Sequence, residues 1–338
     1  MMIYMKESAA QKTTAKREIW LTRSMQALGG LGIDETRALL DMPRHQSVRL
    51  NPLVAPPAAT LIKLQEVGWQ GEPFAWAENC YSVSSGLETV RDSEVIASGA
   101  AFIQNAASWL PVLALDPQPG ERILDVCAAP GGKSSHITAL THNQAELWAN
   151  DNSRARLAKL RANFARLGVQ PAQVTLFDAT QLARKLDGQQ FDKILLDAPC
   201  SGEGLMRYDQ DKDFATWSVA HIKRLQQLQK RLLTQAWQLL KPGGTLVYST
   251  CTMAPEENEA VVDYLLRTHP NAAIEPYSVK LPSRIPALQG WNDKPFRNDL
   301  QGCMRLAPSP QIEAFFVCQL QKVASGGEAV LYSSRYEQ

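Results

Sequence analysis

The segment ERILDVCAAPGGKSSHITAL, residues 121–140, decides the fold. Its opening, ERILDVCA, is the kind of short apolar run that forms a strand buried on both faces, and GKSSHITAL reads as the start of a helix. Between them lies a strand-to-helix turn, Cys127-Ala128-Ala129-Pro130-Gly131-Gly132-Lys133. Two glycines there let the backbone approach a ligand, and the first helical N–H groups have no partner within the helix. The same alternation continues downstream: AELWAND predicts a strand, SRARLAKLRANFARLG a helix closed by Gly168, AQVTLFD and FDKILLDAP two further strands. A long helix over residues 218–240, the strand GGTLVYST and the helix PEENEAVVDYLLRTH complete the pattern. Strands alternating with helices mean βαβ units, hence an α/β fold whose mostly parallel sheet is covered on both faces. CMRLAP and EAFFVCQL, separated by a short turn, predict a hairpin at one edge of that sheet.

Upstream the signals change, with Asp116-Pro117-Gln118-Pro119-Gly120 marking the boundary. Residues 1–24 read as a polar segment, 25–115 as a smaller α+β portion, 116–322 as the α/β domain and 323–338 as a tail. In the smaller portion a helix is predicted over 58–67, short strands around Tyr81 and Leu87, and a buried helix over the uncharged stretch 95–115. That stretch is long enough to span a bilayer, but Ser98, Gly99, Gln104, Asn105, Ser108 and Pro111 would be costly in lipid, so no membrane association is expected.

Composition bounds the function. With 338 residues, 45% hydrophobic and 20% charged, the chain is ordinary globular material, which excludes disordered and fibrous classes. Lys and Arg (35) balance Asp and Glu (34), so any nucleic-acid site must come from a local patch. Six cysteines include no C-x-x-C pair, which argues against a zinc ribbon or a disulfide framework and for a reducing compartment, the cytoplasm. The N-terminus lacks the apolar core of a signal peptide, and none of the histidines has a spacing that calls for a metal.

Ligands of such a sheet sit outside the carboxyl ends of its strands, so the strand ends carry the functional reading. Gly132-Lys133-Ser134 ends as a P-loop does, but Cys127 stands where that motif needs its first glycine, leaving the phosphate nest incomplete. Asp151, about 20 residues beyond the turn, is placed to accept from ribose hydroxyls or to cap the helix that follows it. Asp178 is open to the same two readings, with an adenine amino group as its ligand. A nucleoside site without a phosphate nest points to S-adenosyl-L-methionine. The next strand ends in Asp197-Ala198-Pro199-Cys200-Ser201-Gly202, poor core material unless it works. The one after ends in Ser249-Thr250-Cys251-Thr252, beside a helix N-terminus that favours thiolate. Either cysteine alone reads most simply as a small buried hydrophobe. Two, at the ends of neighbouring strands beside a methyl donor, fit one reaction. Thiolate attack on carbon 6 of a pyrimidine makes carbon 5 nucleophilic, a second thiol assists release, and Asp197 can hold the ring at nitrogen 3.

The three long motifs DVCAAPGGKSSHI, LDAPCSGEG and LVYSTCTMAPEENEAVV resemble, in order, the donor-binding, Pro-Cys and Thr-Cys motifs of the RsmB/RsmF/NSUN family of RNA cytosine-5 methyltransferases. SVRLNPL, FIQNAASWLPVLAL and EAFFVCQL resemble weaker family segments, so the likeness covers about residues 47–320. It implies the class I methyltransferase fold, a mostly parallel seven-stranded sheet with an antiparallel edge strand, behind a smaller N-terminal RNA-binding portion. By position it implies Cys251 as nucleophile and Cys200 as the residue aiding release. Cys127, Ala128, Ala129, Pro130, Gly131, Gly132 and Lys133 with Asp151, Asp178 and Asp197 would contact S-adenosyl-L-methionine, Asp197 also the base. The chain departs from the pattern at Pro308-Ser309 and Ala314, where many members carry Pro-His and Gly. The expected substrate is RNA, ribosomal first and transfer RNA second, handled by a monomer; a P-loop-like NTPase and an inactive RNA-binding module are the alternatives. Arg49 with Asn51, and Arg207 with Tyr208 and Trp217, are the RNA candidates, since they mix charge with stacking surface beside the expected cleft. The basic helix with Arg154, Arg156, Lys159, Arg161 and Arg166 reads first as a solvated face.

Overall fold

The computed structural model describes residues 9–277 and 279–324, so most of the expected tail lies outside the described residues. The N-terminal part runs α1 (Ala9–Ala27), α2 (Ile33–Asp41), β1 (Gln46–Leu50), α3 (Pro57–Glu66), β2 (Cys80–Val83), α4 (Leu87–Arg91), α5 (Glu94–Ala97) and β3 (Ala101–Ile103). Its three strands form an antiparallel sheet in the order β2-β1-β3. After a 3-10 turn at Ala106–Trp109 come α6 (Leu110–Leu115), β4 (Arg122–Asp125), α7 (Gly132–Leu140), β5 (Glu146–Asn150), α8 (Arg154–Arg166), β6 (Ala172–Thr175), α9 (Leu182–Lys185) and β7 (Phe191–Asp197). The chain continues through α10 (Val219–Leu239), β8 (Leu240–Thr250), α11 (Glu259–Thr268), β9 (Ala272–Ile274), β10 (Arg284–Ile285), β11 (Gly290–Trp291), β12 (Lys294–Pro295), β13 (Met304–Leu306) and β14 (Phe315–Lys322).

The large sheet has the order β10-β13-β14-β8-β7-β4-β5-β6, with β9 also on β14. Pairs β7/β8, β4/β7, β4/β5 and β5/β6 are parallel, as the alternation of strands and helices requires. Seven strands make its body, and the short β9 and β10 raise the sheet to nine. The predicted terminal hairpin, β13/β14, does close one side of the sheet. Its antiparallel member β14 is not the edge, however: it lies between β8 and β13. Phe315, Phe316, Val317, Cys318 and Leu320 are all buried, which a strand flanked on both sides sustains and a bare edge would not.

The smaller portion departs from its sequence reading in three places. Residues 95–115 are not one helix but α5, β3, a 3-10 turn and α6. Gly99 turns the chain with φ +82, and a β-carbon there would meet Arg166 O at 2.1 Å, so the chain must bend where a helix would run on. Leu87 opens a short helix rather than a strand. Within the polar first segment the described residues, from Ala9 on, fold as α1, which runs to Ala27 across the expected boundary at residue 24. Trp20 and Leu21 pack with Met206, Phe214, Trp217 and Met253, and Lys16 Nζ donates to Phe214 O at 2.8 Å. Arg23 pairs with Glu256 at 2.7 Å. The first helix is thereby fastened to the segments that follow both strand-end cysteines. Among the described residues no helix is long and apolar enough to cross a membrane.

Candidate active site

The chain runs from β4 to β6 on one side of the sheet and from β7 to β8 on the other, so the crevice opens at the carboxyl ends of β4 and β7. The glycine turn follows β4. Gly131 stands there at φ +103, a left-handed conformation that side-chain-bearing residues rarely adopt, and its N–H closes the turn on Ala128 O at 2.7 Å. Helix α7 starts on the next residue. Asn163 Nδ2 and Arg156 Nη2 donate to Pro130 O (2.8 Å) and Ala129 O (2.6 Å), fixing the turn from α8.

Three acids converge on this turn. Asp125 ends β4 and is buried; Ser134 Oγ donates to its Oδ2 at 2.6 Å, while Oδ1 has no hydrogen-bond partner. Burial pushes the Asp125 carboxyl up to about 7, against the pull of that hydrogen bond. Asp151, also buried, accepts from Ser153 N through Oδ1. Its Oδ2 lies 3.3 Å from Arg156 Nη2 yet accepts no hydrogen bond. Asp197, at the end of β7, accepts from Lys133 Nζ and from Ser249 Oγ, each at 2.7 Å. Burial works against the Lys133 ammonium, but the charge and hydrogen bond of Asp197 outweigh it and hold the pKa above the ordinary lysine value. A P-loop lysine must reach phosphates; this one is committed to a carboxylate. Cys127 sits among all three acids, and burial followed by their charges pushes its thiol far up, the opposite of the shift that activates a nucleophile. Two unsatisfied carboxylate oxygens beside a glycine turn suit a ligand that brings hydroxyl or amino donors, as a nucleoside and an amino acid moiety do.

The thiols meet at the neighbouring strand ends. Parallel pairing sets Asp197 opposite Ser249, and Ala198 N donates to Ser249 O at 2.9 Å. Cys200 and Cys251 then follow from the two strands, and their sulfurs lie 3.3 Å apart, both half-buried. The hydrogen bond to Cys251, then burial, then the charges of Cys251 and Glu257 push the Cys200 thiol well above its ordinary range. Gly204 N donates to Cys251 O at 3.0 Å and Arg44 Nη1 to Gly204 O at 2.5 Å, so a residue of the N-terminal part braces the cysteine loops.

The remaining candidates do not join this cluster. Asp178 is exposed and caps a 3-10 turn, its Oδ1 accepting from Thr180 N (2.9 Å) and Oγ1 (2.8 Å). Arg49 is buried and donates to Ser135 Oγ at 2.9 Å; burial brings its guanidinium down to about 10. Asn51 is buried as well and ties Gly99 O to Leu167 O. Both therefore join the N-terminal part to the sheet domain and offer RNA no surface, which corrects the expectation. Trp217 is buried too, bonded to Glu203 at 2.9 Å. Arg207 is half-exposed and pairs with Asp209, while Tyr208 carries Arg37 4.5 Å above its ring. In α8, Arg156 and Arg166 cap backbone carbonyls, leaving Arg154, Lys159 and Arg161 exposed.

Sequence reasoning missed Asp125, Glu203 and Glu257 as members of the site. Asp125 carried a signal, an acid inside an otherwise apolar strand. Glu257 sits in PEENE, read as the opening of a helix; α11 in fact starts at Glu259, and Glu257 is turned inward and buried.

The family described as 16S rRNA methyltransferase RsmB/F matches residues 112–321. Ribosomal RNA small subunit methyltransferase F of Serratia proteamaculans is 36% identical over 298 residues, 86% of this chain and 60% of that protein. Its namesake from Aeromonas hydrophila is 42% identical over 242 residues, 70% of this chain and 50% of that one. The chain thus spans between 50% and 60% of the length of these two relatives. A crystal structure of a methyltransferase homolog protein from Pyrococcus horikoshii superposes with TM-score 0.79 at 30% identity, covering 94% of this chain and 100% of that one. NSun6 from Pyrococcus horikoshii, solved with SFG, shares the fold at TM-score 0.75 and 22% identity, covering 91% of this chain and 98% of the other.

Proposed function

The chain belongs to the RsmB/F family of 16S rRNA methyltransferases, and from that premise we propose that it methylates carbon 5 of a cytosine in RNA, with S-adenosyl-L-methionine as donor. The observation that carries this reading is the 3.3 Å separation of the Cys200 and Cys251 sulfurs beside Asp197.

The donor fits the acids described above: Asp151 Oδ2, ion-paired with Arg156 but accepting no hydrogen bond, can accept from a ribose, the Gly131 turn leaves backbone room, and Asp125 and Asp197 can receive an amino group. Asp178, in the turn that follows β6, would take the adenine amine with the oxygen that Thr180 does not use. When bound, the donor supplies an electrophilic methyl group. The chain's own residues do the rest. Cys251 sulfur bonds to carbon 6, which breaks the ring's 5,6 double bond and leaves carbon 5 nucleophilic. Asp197, kept in orientation by Lys133 and Ser249, holds the base at nitrogen 3. After carbon 5 is methylated its proton passes to solvent water, the freed C–H electron pair reforms the 5,6 double bond, and the Cys251–carbon 6 bond breaks with Cys251 leaving as a thiolate that the Cys200 thiol, 3.3 Å away, can protonate.

The preferred substrate is small-subunit ribosomal RNA, the molecule named for the relatives, with transfer RNA second. Residues 25–115, Arg207 and the exposed basics of α8 are the RNA-facing candidates. A monomer in a reducing compartment such as the cytoplasm suits six cysteines that are all unpaired. The test is incubation of the purified chain with methyl-labelled donor and, separately, naked 16S rRNA, small ribosomal subunits and transfer RNA, followed by bisulfite sequencing. New 5-methylcytosine at one position supports the reading; its absence from all three pools overturns it.

A further inference from the structure

Behind the two thiols lie two carboxyl groups that the chemistry above does not use. Glu257 is 0% exposed and Glu203 3% exposed. A carboxylate removed from water to this extent is costly unless donors replace the lost hydration. Glu257 has them. Its Oε1 accepts from Ser201 N at 3.0 Å and Gln229 Nε2 at 2.9 Å, and its Oε2 accepts from Ser201 Oγ. Gln229 Nε2 also donates to Pro199 O at 2.9 Å, so the residues on both sides of Cys200 are gathered by one carboxylate and its α10 partner. The Cys251 side is held by the same group: Thr252 Oγ1 lies 3.3 Å from Glu257 Oε2, 3.2 Å from Glu203 Oε2 and 2.8 Å from Ser201 Oγ. The residue following each cysteine is thus fixed to the other through Glu257.

We propose that Glu257 is a positioning residue for this reaction: it locks residues 199–202 against residues 251–252, and its charge beside Cys200 assigns the attack to Cys251. The assignment follows from Coulomb repulsion. A buried negative charge bonded to the residue next to Cys200 penalises a second anion there and leaves Cys200 as the proton-bearing partner. This inference rests on the cytosine-5 reading above.

Burial, followed by the charge of Glu203 and against the Ser201 and Gln229 hydrogen bonds, pushes the Glu257 carboxyl up to about 7. The titratable and charged groups around it are Glu203, Cys200 and Tyr248, whose hydroxyl donates to Glu257 O; the Arg23–Glu256 pair acts in turn on Glu203. Protonation at Oε2 removes an acceptor and the charge together, so the lock weakens as pH falls through about 7.

Glu257→Gln in the full chain tests this with two readouts. The first needs neither RNA nor donor: iodoacetamide alkylation of Cys200 and Cys251, resolved by mass spectrometry across pH 6–9. We expect the Cys200-to-Cys251 labelling ratio to rise roughly tenfold, one pKa unit's worth of relief at Cys200. The second is the pH profile of methyl transfer, in which the acid limb near neutrality disappears. An unchanged ratio overturns the proposal. An altered ratio in a chain that methylates no RNA upholds the assignment of charge and sinks the proposed function instead. If Glu257→Gln fails to fold, the unaltered chain supplies the test: neutralising Glu257 as pH falls through about 7 must by itself raise the Cys200-to-Cys251 labelling ratio, and a ratio that stays flat across that range overturns the proposal equally.

Discussion

Ser201 Oγ and Thr252 Oγ1 lie 2.8 Å apart, one residue beyond two cysteines whose sulfurs lie 3.3 Å apart. Two Cys-hydroxyl dipeptides, 51 residues apart in sequence, therefore face each other as a matched pair. The sulfurs are half-buried at the strand ends, and the hydroxyls link them to buried acids behind. That layering makes the roles of individual side chains separable by mutation.

Cys251→Ala removes the sulfur that bonds to the base. Methyl transfer should fall by at least about 10³-fold, as loss of a covalent nucleophile does. Because Cys251 is half-buried and the change is small, stability should move by no more than about 1 kcal/mol. Labelled-donor assays and urea unfolding on the same preparation check both; residual activity within tenfold of wild type would refute the nucleophile assignment.

Cys200→Ala leaves attack intact and slows release. A protein–RNA adduct that survives denaturing electrophoresis should accumulate in the presence of donor and vanish in the Cys200→Ala, Cys251→Ala double variant. A fully active single variant without adduct would remove Cys200 from the mechanism.

Gly204→Ala tests how closely the loops are packed. A β-carbon there would lie 2.1 Å from Ala314 O and 2.8 Å from Cys251 O, closer than real contacts allow. Both obstacles are backbone, so the Cys251 segment must shift. We expect a destabilisation of about 1–3 kcal/mol and a larger proportional loss of methyl transfer, read by thermal unfolding and by initial rates. Full activity would show that the segment tolerates displacement.

Asp125 gives a pH signature. Its carboxyl titrates at about 7 in the folded chain and near 3.9 when unfolded. The folded state thus holds the extra proton between those values. The contribution to stability is complete below the unfolded pKa and is lost as pH rises through about 7. Asp125→Asn, neutral throughout, should lack this component, so its stability relative to wild type should rise from pH 4 to pH 8. Glu257 shifts in the same direction but is present in both chains and cancels. Urea unfolding at several pH values checks the sign; a difference that stays flat would place the Asp125 pKa elsewhere.

Much of this was legible before any coordinates. Residues 121–140 fold as read, with β4, the glycine turn and α7 in order. Cys200 and Cys251 could be assigned to strand ends because Asp197 and Thr250 close apolar runs. The N-terminal part resisted reading. In α1 the contacts that matter come from Trp20 and Leu21 set among charged neighbours, a pattern too sparse to stand out as an amphipathic face. Arg49 misled for a different reason. An arginine in a short strand is expected at the surface, and only its contact with Ser135 of α7 explains why it is buried.

Local periodicity and turn chemistry fixed the order of strands, the glycine turn and the placing of a thiol after each of two strands, since these depend on residues only a few positions apart. The tertiary structure decided the rest: the register that sets Asp197 opposite Ser249, the inward turn of Glu257, and the docking of α1 behind the cysteine loops. Those outcomes are settled by burial and hydrogen bonding between segments 50 to more than 200 residues apart, as in Cys200–Cys251 and Arg23–Glu256. Pairings over such distances leave no periodic trace in the chain.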